Sequence, residues 1–464
     1  MTELWSVAEL REATGGAMAV PFAATGLSID TRTLNSGDLF IALAGENRDG
    51  HEFVADALTR GAAGALVHRD IPGLPADALL LRVDDTLAGL IRLGAFARAR
   101  FGGRLVAVTG SVGKTTCKEM LRAILAAHGP AHAAEASYNN HWGVPLTLAR
   151  LPADAAWCVV EIGMNHVGEI FPLAHLARPH VALITNVEKA HIGHLGSLEA
   201  IADEKGAVLQ GLEPDGTAIL PADSPLLDRL RAAAGAARIV TFGFSEAAAA
   251  RLLTVEPNAE GTALSAVIGG RHVRTRLSAP GRHMALNAVA ALAAAVALGA
   301  DPATGAAALA GFSPIAGRGA RKTVAVPCGT CLLLDESYNA SAASVRAALA
   351  VLALQPARRR IAVLGDMLEM GAHGPGEHLA LAPDVIANAD LLFACGPLMG
   401  QLYNAIPSPM RGAHAPDSAT LAPILTGMLR DGDAVLVKGS LGSRMRVIVA
   451  ALEQRAPVGA EAGR

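Results

Sequence analysis

Leu105 to His128 reads LVAVTGSVGKTTCKEMLRAILAAH. It opens with Leu105-Val-Ala-Val108, an apolar run of the kind that fills a strand buried on both faces of a parallel sheet. A glycine loop follows, Gly110-Ser111-Val112-Gly113-Lys114-Thr115-Thr116. A helical pattern comes next, in which Met120, Ile124 and Ala127 share one face before Gly129-Pro130 ends it. Strand, glycine loop, Lys-Thr and helix together make a phosphate cradle. Loop N–H groups and the helix N-terminus supply partial positive charge, Lys114 supplies a full one, and the Thr115 hydroxyl can reach a magnesium ion. Val108 stands where the longer form of this loop carries a glycine, so the pattern is the shorter G-x-x-G-K-T-T. The expectation is a nucleotide triphosphate site.

Working outward, polar clusters close other apolar runs, the layout of a doubly wound sheet with function at the strand ends. Cys158-Val-Val-Glu161 places a carboxylate where it can ligate a phosphate-bound magnesium. Val181 to Ile184 is followed by Thr185-Asn186 and then His191, and Tyr138-Asn139-Asn140-His141-Trp142 reads as a loop rich in amides. Between Ser197 and Leu209 a helical stripe of Leu198, Ile201 and Val208 also contains Lys205. A lysine there reaches water at the edge of the stripe, finds an anion, shifts its pKa or is modified. Both the edge position and the functional one stay open on pattern alone.

The expected fold class is α/β with three domains. Residues 1–98 form a small α/β module in which Ser28, Asp30 and Arg32 close a strand and either hold an anion or form a polar loop. Residues 99–313 carry the phosphate loop in a mostly parallel sheet, and 314–464 form a second open, Rossmann-like sheet without such a loop. Gly102-Gly103 and Gly317 to Gly319 read as hinges, and the tail after Arg455 as loose. Cys328-Gly-Thr-Cys331 reads as a hairpin turn, because no second pair completes a zinc site.

Composition narrows the function classes. Hydrophobic residues at 52% and charged ones at 17% suit a soluble α/β protein, and a net charge of -3 without a basic block argues against a nucleic-acid partner. The amphipathic, charged start is not a signal peptide, and Ala285 to Ala300 is too short and alanine-rich for a membrane span. Five cysteines without framework spacing fit a reducing cytoplasm. A monomer is expected.

Taken in order, several segments resemble the Mur ligase family of peptidoglycan synthesis, which includes the folylpolyglutamate synthetases. They are Asp30-Thr-Arg32, Asn139-Asn140, Glu161-Ile-Gly-Met-Asn165, Ala190-His191, Asp335 with Tyr338-Asn339-Ala340, Gly365-Asp366-Met-Leu-Glu369-Met-Gly371 and Lys438-Gly439-Ser440. The resemblance implies a UDP-sugar domain, an ATP domain and an amine-substrate domain. It also implies amide ligation through an acyl phosphate, forming ADP and phosphate. The Tyr-Asn-Ala and Gly-Asp-Met-x-Glu-Met-Gly segments point to UDP-N-acetylmuramoyl-tripeptide and D-alanyl-D-alanine as substrates. On this likeness Lys114 and the loop amides hold ATP phosphates, Thr115 and Glu161 bind one magnesium, and His191 with an N-carboxylated Lys205 binds a second. Asn186, Asn287, Asp335, Tyr338 and Arg318 lie at the nucleotide, Arg318 from the third domain after closure. Ser28, Asp30, Arg32, Asn139, Asn140, Asn339, Lys438 and Ser440 serve the two other substrates. Three places depart from the family pattern: Met284 follows His283 where asparagine is usual, Glu336 replaces an aspartate, and Ser341-Ala342 replaces Asn-Pro. A sister ligase acting on another amino acid, or a P-loop switch NTPase, are the competing readings.

Overall fold

The computed structural model describes residues 3–45, 47–327 and 329–454, so Cys328 of the Cys-x-x-Cys pair and the tail from residue 455 lie outside the described residues. Three sheets follow one another along the chain. The first has five strands, in the spatial order Ala17–Met18, Leu80–Arg82, Gly64–Val67, Asp38–Ile41 and Gly26–Ser28. Only its Ala17–Met18 edge runs antiparallel. Within it, Asp49 caps a short 3-10 turn, Gly50–Phe53, where a longer helix from His51 to Gly61 would be read from the sequence; the α-helix proper is Val54–Thr59. Burial would raise the Asp49 carboxyl, but hydrogen bonds from the His51 N–H, the His51 ring and Arg69 outweigh it and hold the group at about 2. A carboxylate held low contributes stability above its unfolded value of 3.8, and that contribution is lost as pH falls toward 2. Asp49→Asn should therefore be less stable than wild type at neutral pH, with the gap closing below about pH 4 in urea melts.

The helix Thr86–Arg100 leads out of this sheet, but it is fastened to the next one. Buried Arg98 donates to the carbonyls of Ala177 and Arg178 at 2.7 and 2.6 Å and pairs with Glu213 at 3.0 Å. Gly94 lets the helix lie against Gly143–Ala149, since a Cβ there would come within 2.9 Å of the Pro145 carbonyl. Gly102-Gly103, expected as a hinge, thus follows a helix already bound to the central domain.

The central sheet has nine strands. The strand Arg104–Thr109 is buried over Leu105–Thr109 and lies in its interior, between Trp157–Glu161 and Val181–Ile184, parallel to both. From there the order runs one way to Ala131–Ala133 and the other way through Thr217–Pro221 and Arg238–Gly243 to an antiparallel meander ending at Arg271–Leu277. The reversal at Arg104–Thr109 opens a crevice at the carboxyl ends of the strands, where open α/β sheets bind ligands. Helix Lys114–Ala126 leaves from that point and buries Cys117, Met120, Leu121, Ile124 and Leu125. Ala127, expected on its inner face, is an exposed cap. The alanine-rich helix Arg282–Ala297 packs beside it in the same apolar core. Small side chains let these helices approach closely, which is how a core with 3% aromatics closes.

The third sheet has six strands, ordered Ala320–Val326, Gly329–Glu336, Asp433–Lys438, Arg359–Gly365, Leu391–Cys395 and Arg411–Ala415. All but the first pair are parallel. The Gly317–Gly319 turn before it is pinned: Asp335 Oδ2 accepts from the Gly317 N–H at 2.9 Å and the Asp335 carbonyl from Gly319. Positive φ at both glycines, 76° and 102°, makes that turn. No helix among the described residues is long and apolar enough to cross a membrane.

Candidate active site

The loop after Thr109 wraps the N-terminus of Lys114–Ala126, with Gly113 as cap at φ 83°. A Cβ at Gly113 would meet the Asn287 amide oxygen at 2.7 Å, so the glycine is what lets Asn287 lie over the loop. Val112 is braced from the neighbouring strand end. Its N–H donates to Asn186 Oδ1 at 3.0 Å, and its carbonyl accepts from Thr185 Oγ1 at 2.6 Å and from Asn186 Nδ2. Asn186 thus shapes the cradle through this brace. Ser111 Oγ ties in the following segment, donating to the Glu188 carbonyl and accepting from the Glu188 N–H. Lys114 folds back, Nζ donating to the Gly110 carbonyl at 2.7 Å. Burial lowers its pKa, and the nearby charges of Glu161 and Arg318 act in opposite directions. Thr116 is the third helical residue.

Glu161 ends the adjacent strand, in register with Val108, and its carboxylate is buried beside the helix start. Thr115 donates to Oε2 at 2.8 Å and Asn139 Nδ2 to Oε1 at 2.7 Å. A hydroxyl and a carboxylate held together at the end of a phosphate loop are hard oxygen donors, the chemistry magnesium takes. Among the described residues no group of three or more His, Cys, Asp and Glu is placed to hold a metal by itself. Such a site fits an ion that also takes oxygens from a phosphate or a modified side chain.

Lys205 is buried. It is 2% exposed, and its side chain makes no hydrogen bond or ion pair among the described residues. Burial, and then the charge of Lys114, push its pKa well down, with Glu204 opposing. The helix that carries it runs Leu198–Gly206 and tightens into a 3-10 segment at Ala207–Gly211, shorter than the span to Leu209 expected from its stripe. Burial settles the edge-or-core alternative: an unpaired lysine this deep favours the neutral amine.

The third sheet reaches into this site. Arg318 donates from Nη2 to Ser137 Oγ at 3.0 Å, and Ser137 in turn contacts Thr115 Oγ1 at 3.1 Å. The Arg318 guanidinium stacks on Tyr338 at 4.0 Å. His191, at φ 61°, starts the short helix Ile192–Leu195, and its Nδ1 lies 2.5 Å from Glu369 of the third sheet. That contact with His191 holds the Glu369 carboxyl below its usual value, against burial and with help from His194 and His166.

Other candidates have different immediate partners. Asn140, in the amide-rich loop, holds the backbone before a helix: its Oδ1 accepts from the N–H groups of Trp142 and Gly143, and Gly143–Ala149 follows. Asn139 meets Glu161, as described. Asp335 uses both oxygens on Gly317 and Ser337. Lys438 is buried, with Nζ on the Asn339 carbonyl at 3.0 Å and on Glu336 at 3.3 Å, and Ser440 Oγ accepts from the Leu368 N–H. Asn339 turns its own side chain onto the Ala340 N–H. On the first sheet Arg32 forks onto Asp30, and Ser28 Oγ bonds the Asp30 backbone, so these three form one self-paired turn. Sequence reasoning missed Ser137, Thr185 and the Glu369 contact. Thr185 was legible as a hydroxyl at a strand end, whereas Ser137 and Glu369 depend on which sheets meet.

Comparison with known proteins agrees along the whole chain. Three family profiles match: Mur ligase family, catalytic domain, over residues 23–92; Mur ligase middle domain, over 108–295; and Mur ligase, glutamate ligase domain, over 323–441. A UDP-N-acetylmuramoyl-tripeptide–D-alanyl-D-alanine ligase of Synechocystis is 38% identical over 91% of this chain and 90% of its own length. That of Bacillus subtilis is 33% identical over 91% and 92%. The crystal structure of MurF from Acinetobacter baumannii superposes with a TM-score of 0.84 at 31% identity, covering 97% of this chain and 99% of its own. With three successive sheets, a phosphate loop at the switch point of the second and relatives aligned end to end, the chain belongs to the Mur ligase family.

Proposed function

We propose that this chain joins the terminal carboxylate of UDP-N-acetylmuramoyl-tripeptide to the amine of D-alanyl-D-alanine, converting ATP to ADP and phosphate. Family membership implies dependence on ATP and magnesium. The observation that carries the reading is the Thr115–Glu161 pair at the phosphate loop, reached through Ser137 by Arg318 from another sheet. A switch NTPase has no need of a second α/β sheet supplying an arginine to the loop. In a ligase, by contrast, the amine donor has to be brought to an activated acyl group.

The chemistry follows from charge. A carboxylate repels an amine and would have to expel oxide, so its oxygen is first phosphorylated by the γ-phosphoryl group of ATP. Phosphate then leaves when the amine attacks. Lys114 and the loop amides neutralise the phosphates during transfer, and Arg318 adds positive charge from the third sheet. Thr115 and Glu161 would hold one magnesium, and His191 with N-carboxylated Lys205 a second. Bound magnesium would polarise the phosphoryl oxygens and offset their charge. A neutral Lys205 amine that adds CO2 and releases a proton becomes an anionic oxygen donor, which accounts for a buried lysine without an ion-pair partner. Asn186, Asn287, Asp335 and Tyr338 frame the nucleotide, and Asn139 orients Glu161. Residues 1–98, with Ser28, Asp30 and Arg32, take the UDP-sugar; residues 314–464, with Asn339, Lys438 and Ser440, take the amine. An acyl phosphate hydrolyses, so the third domain closes over it before reaction. We place the monomeric enzyme in the cytoplasm, where ATP is available and its buried cysteines, Cys117, Cys158, Cys331 and Cys395, stay as thiols.

Phosphate release from ATP tests the reading. Release should need both UDP-N-acetylmuramoyl-tripeptide and D-alanyl-D-alanine. Release needing neither would favour a switch, and release with a single L-amino acid would favour a sister ligase.

A further inference from the structure

His191 and Glu369 come from different sheets, yet their segments are clipped together. The Gly193 N–H donates to the Glu369 carbonyl at 2.9 Å, and a Cβ on Gly193 would come within 2.6 Å of the Gly371 nitrogen. Lys189 and Glu377 form a bridge alongside at 2.7 Å. Both His191 and Glu369 hold left-handed backbone, φ 61° and 64°, a conformation that residues with side chains rarely adopt. Such outliers persist where surrounding structure over-determines them, often at functional sites. The His191 ring explains what is being held. Its Nδ1 is buried without a hydrogen bond of proper angle, the Glu369 carboxylate lies 2.5 Å away, and Nε2 makes no hydrogen bond among the described residues.

We propose that Glu369 is a positioning residue for His191, taking its Nδ1–H so that the Nε2 lone pair is presented to a metal ion. Carboxylate-oriented histidines are the usual ligand arrangement, and loss of the carboxylate weakens metal affinity 10–100-fold. Because Glu369 lies in the loop after the third-sheet strand Arg359–Gly365, this ligand is set only while that sheet is docked. The Gly365–Gly371 segment thereby links docking of the amine-binding domain to assembly of the second metal site. This rests on the reading of His191 as a metal ligand.

Manganese binding to the full chain, followed by electron paramagnetic resonance with a non-hydrolysable ATP analogue and UDP-N-acetylmuramoyl-tripeptide present, tests it without turnover. Wild type should bind two ions. Glu369→Ala should weaken the second about 10–100-fold and leave the first unchanged. Glu369→Gln, whose amide oxygen still accepts, should recover most of the affinity, and Lys189→Ala, which breaks only the neighbouring bridge, should stay within about twofold of wild type. A natively folded Glu369→Ala with second-ion affinity within about twofold of wild type overturns the proposal. Two full-affinity ions in His191→Ala, or one ion in wild type, would instead remove the ligand reading and this proposal with it.

Discussion

Lys114→Met should lower kcat for ligation by about 10²–10³-fold or more while raising the KM for ATP far less. The ammonium donates to the Gly110 carbonyl, so the lysine lies against the loop it serves. Its charge matters most when the γ-phosphoryl group is between donor and acceptor, since that is when charge on the transferring oxygens is least tied to either side. An interaction stronger in the transition state than in the ground state appears in kcat. Methionine keeps the length and apolar stem, so the fold should survive; leaving the Gly110 carbonyl without this donor costs about 1–3 kcal/mol. Steady-state kinetics with a thermal melt separate the effects. A variant with wild-type kcat and only a raised KM would place the lysine in uniform nucleotide binding.

The second large effect belongs to Lys205. Lys205→Ala should reduce activity by about 10²–10³-fold, the scale expected when a charge stabiliser is withdrawn from a phosphoryl-transfer site. Its dependence on conditions is more telling. Only the neutral amine adds CO2, and burial with the Lys114 charge pushes the Lys205 pKa well down, so the amine is more available than in an ordinary lysine and is lost by protonation as pH falls. Activity should therefore decline in CO2-depleted buffer and return with bicarbonate. Labelling with ¹³C-bicarbonate should give a carbamate resonance in wild type that Lys205→Ala lacks. Full activity in Lys205→Ala would make the lysine a packing residue.

What the sequence shows of this site is its local part. Leu105 to Ala126 carries its strand, loop and helix in consecutive residues, so the phosphate cradle is read without tertiary information. Glu161 was legible for the same reason, as a carboxylate ending an apolar run. Depth was not: Lys205 shares a stripe with Leu198 and Ile201, and only the packing of Leu198–Gly206 into the folded chain decides that it is buried. The helix Leu227–Ala234 lies in a stretch that reads as strands and turns, because its charged residues break the apolar signal. Asn140 illustrates another limit. Its loop composition does not show that the Asn140 side-chain oxygen also holds the backbone at the start of Gly143–Ala149, with Pro145 tolerated in the first turn, where N–H groups lack intrahelical partners. Arg318 is named through the family resemblance alone, and the Glu369 contact becomes informative only once the third sheet is seen against the second.

The central claim is that ATP activates the peptide carboxylate, and oxygen tracing tests it most directly. With both terminal carboxylate oxygens of the tripeptide labelled with ¹⁸O, one labelled oxygen should appear in the inorganic phosphate for each amide formed, read by mass spectrometry. The acyl phosphate pathway breaks that carbon–oxygen bond and sends the oxygen out with phosphorus. Phosphate free of label, formed in step with the amide product, would contradict the account.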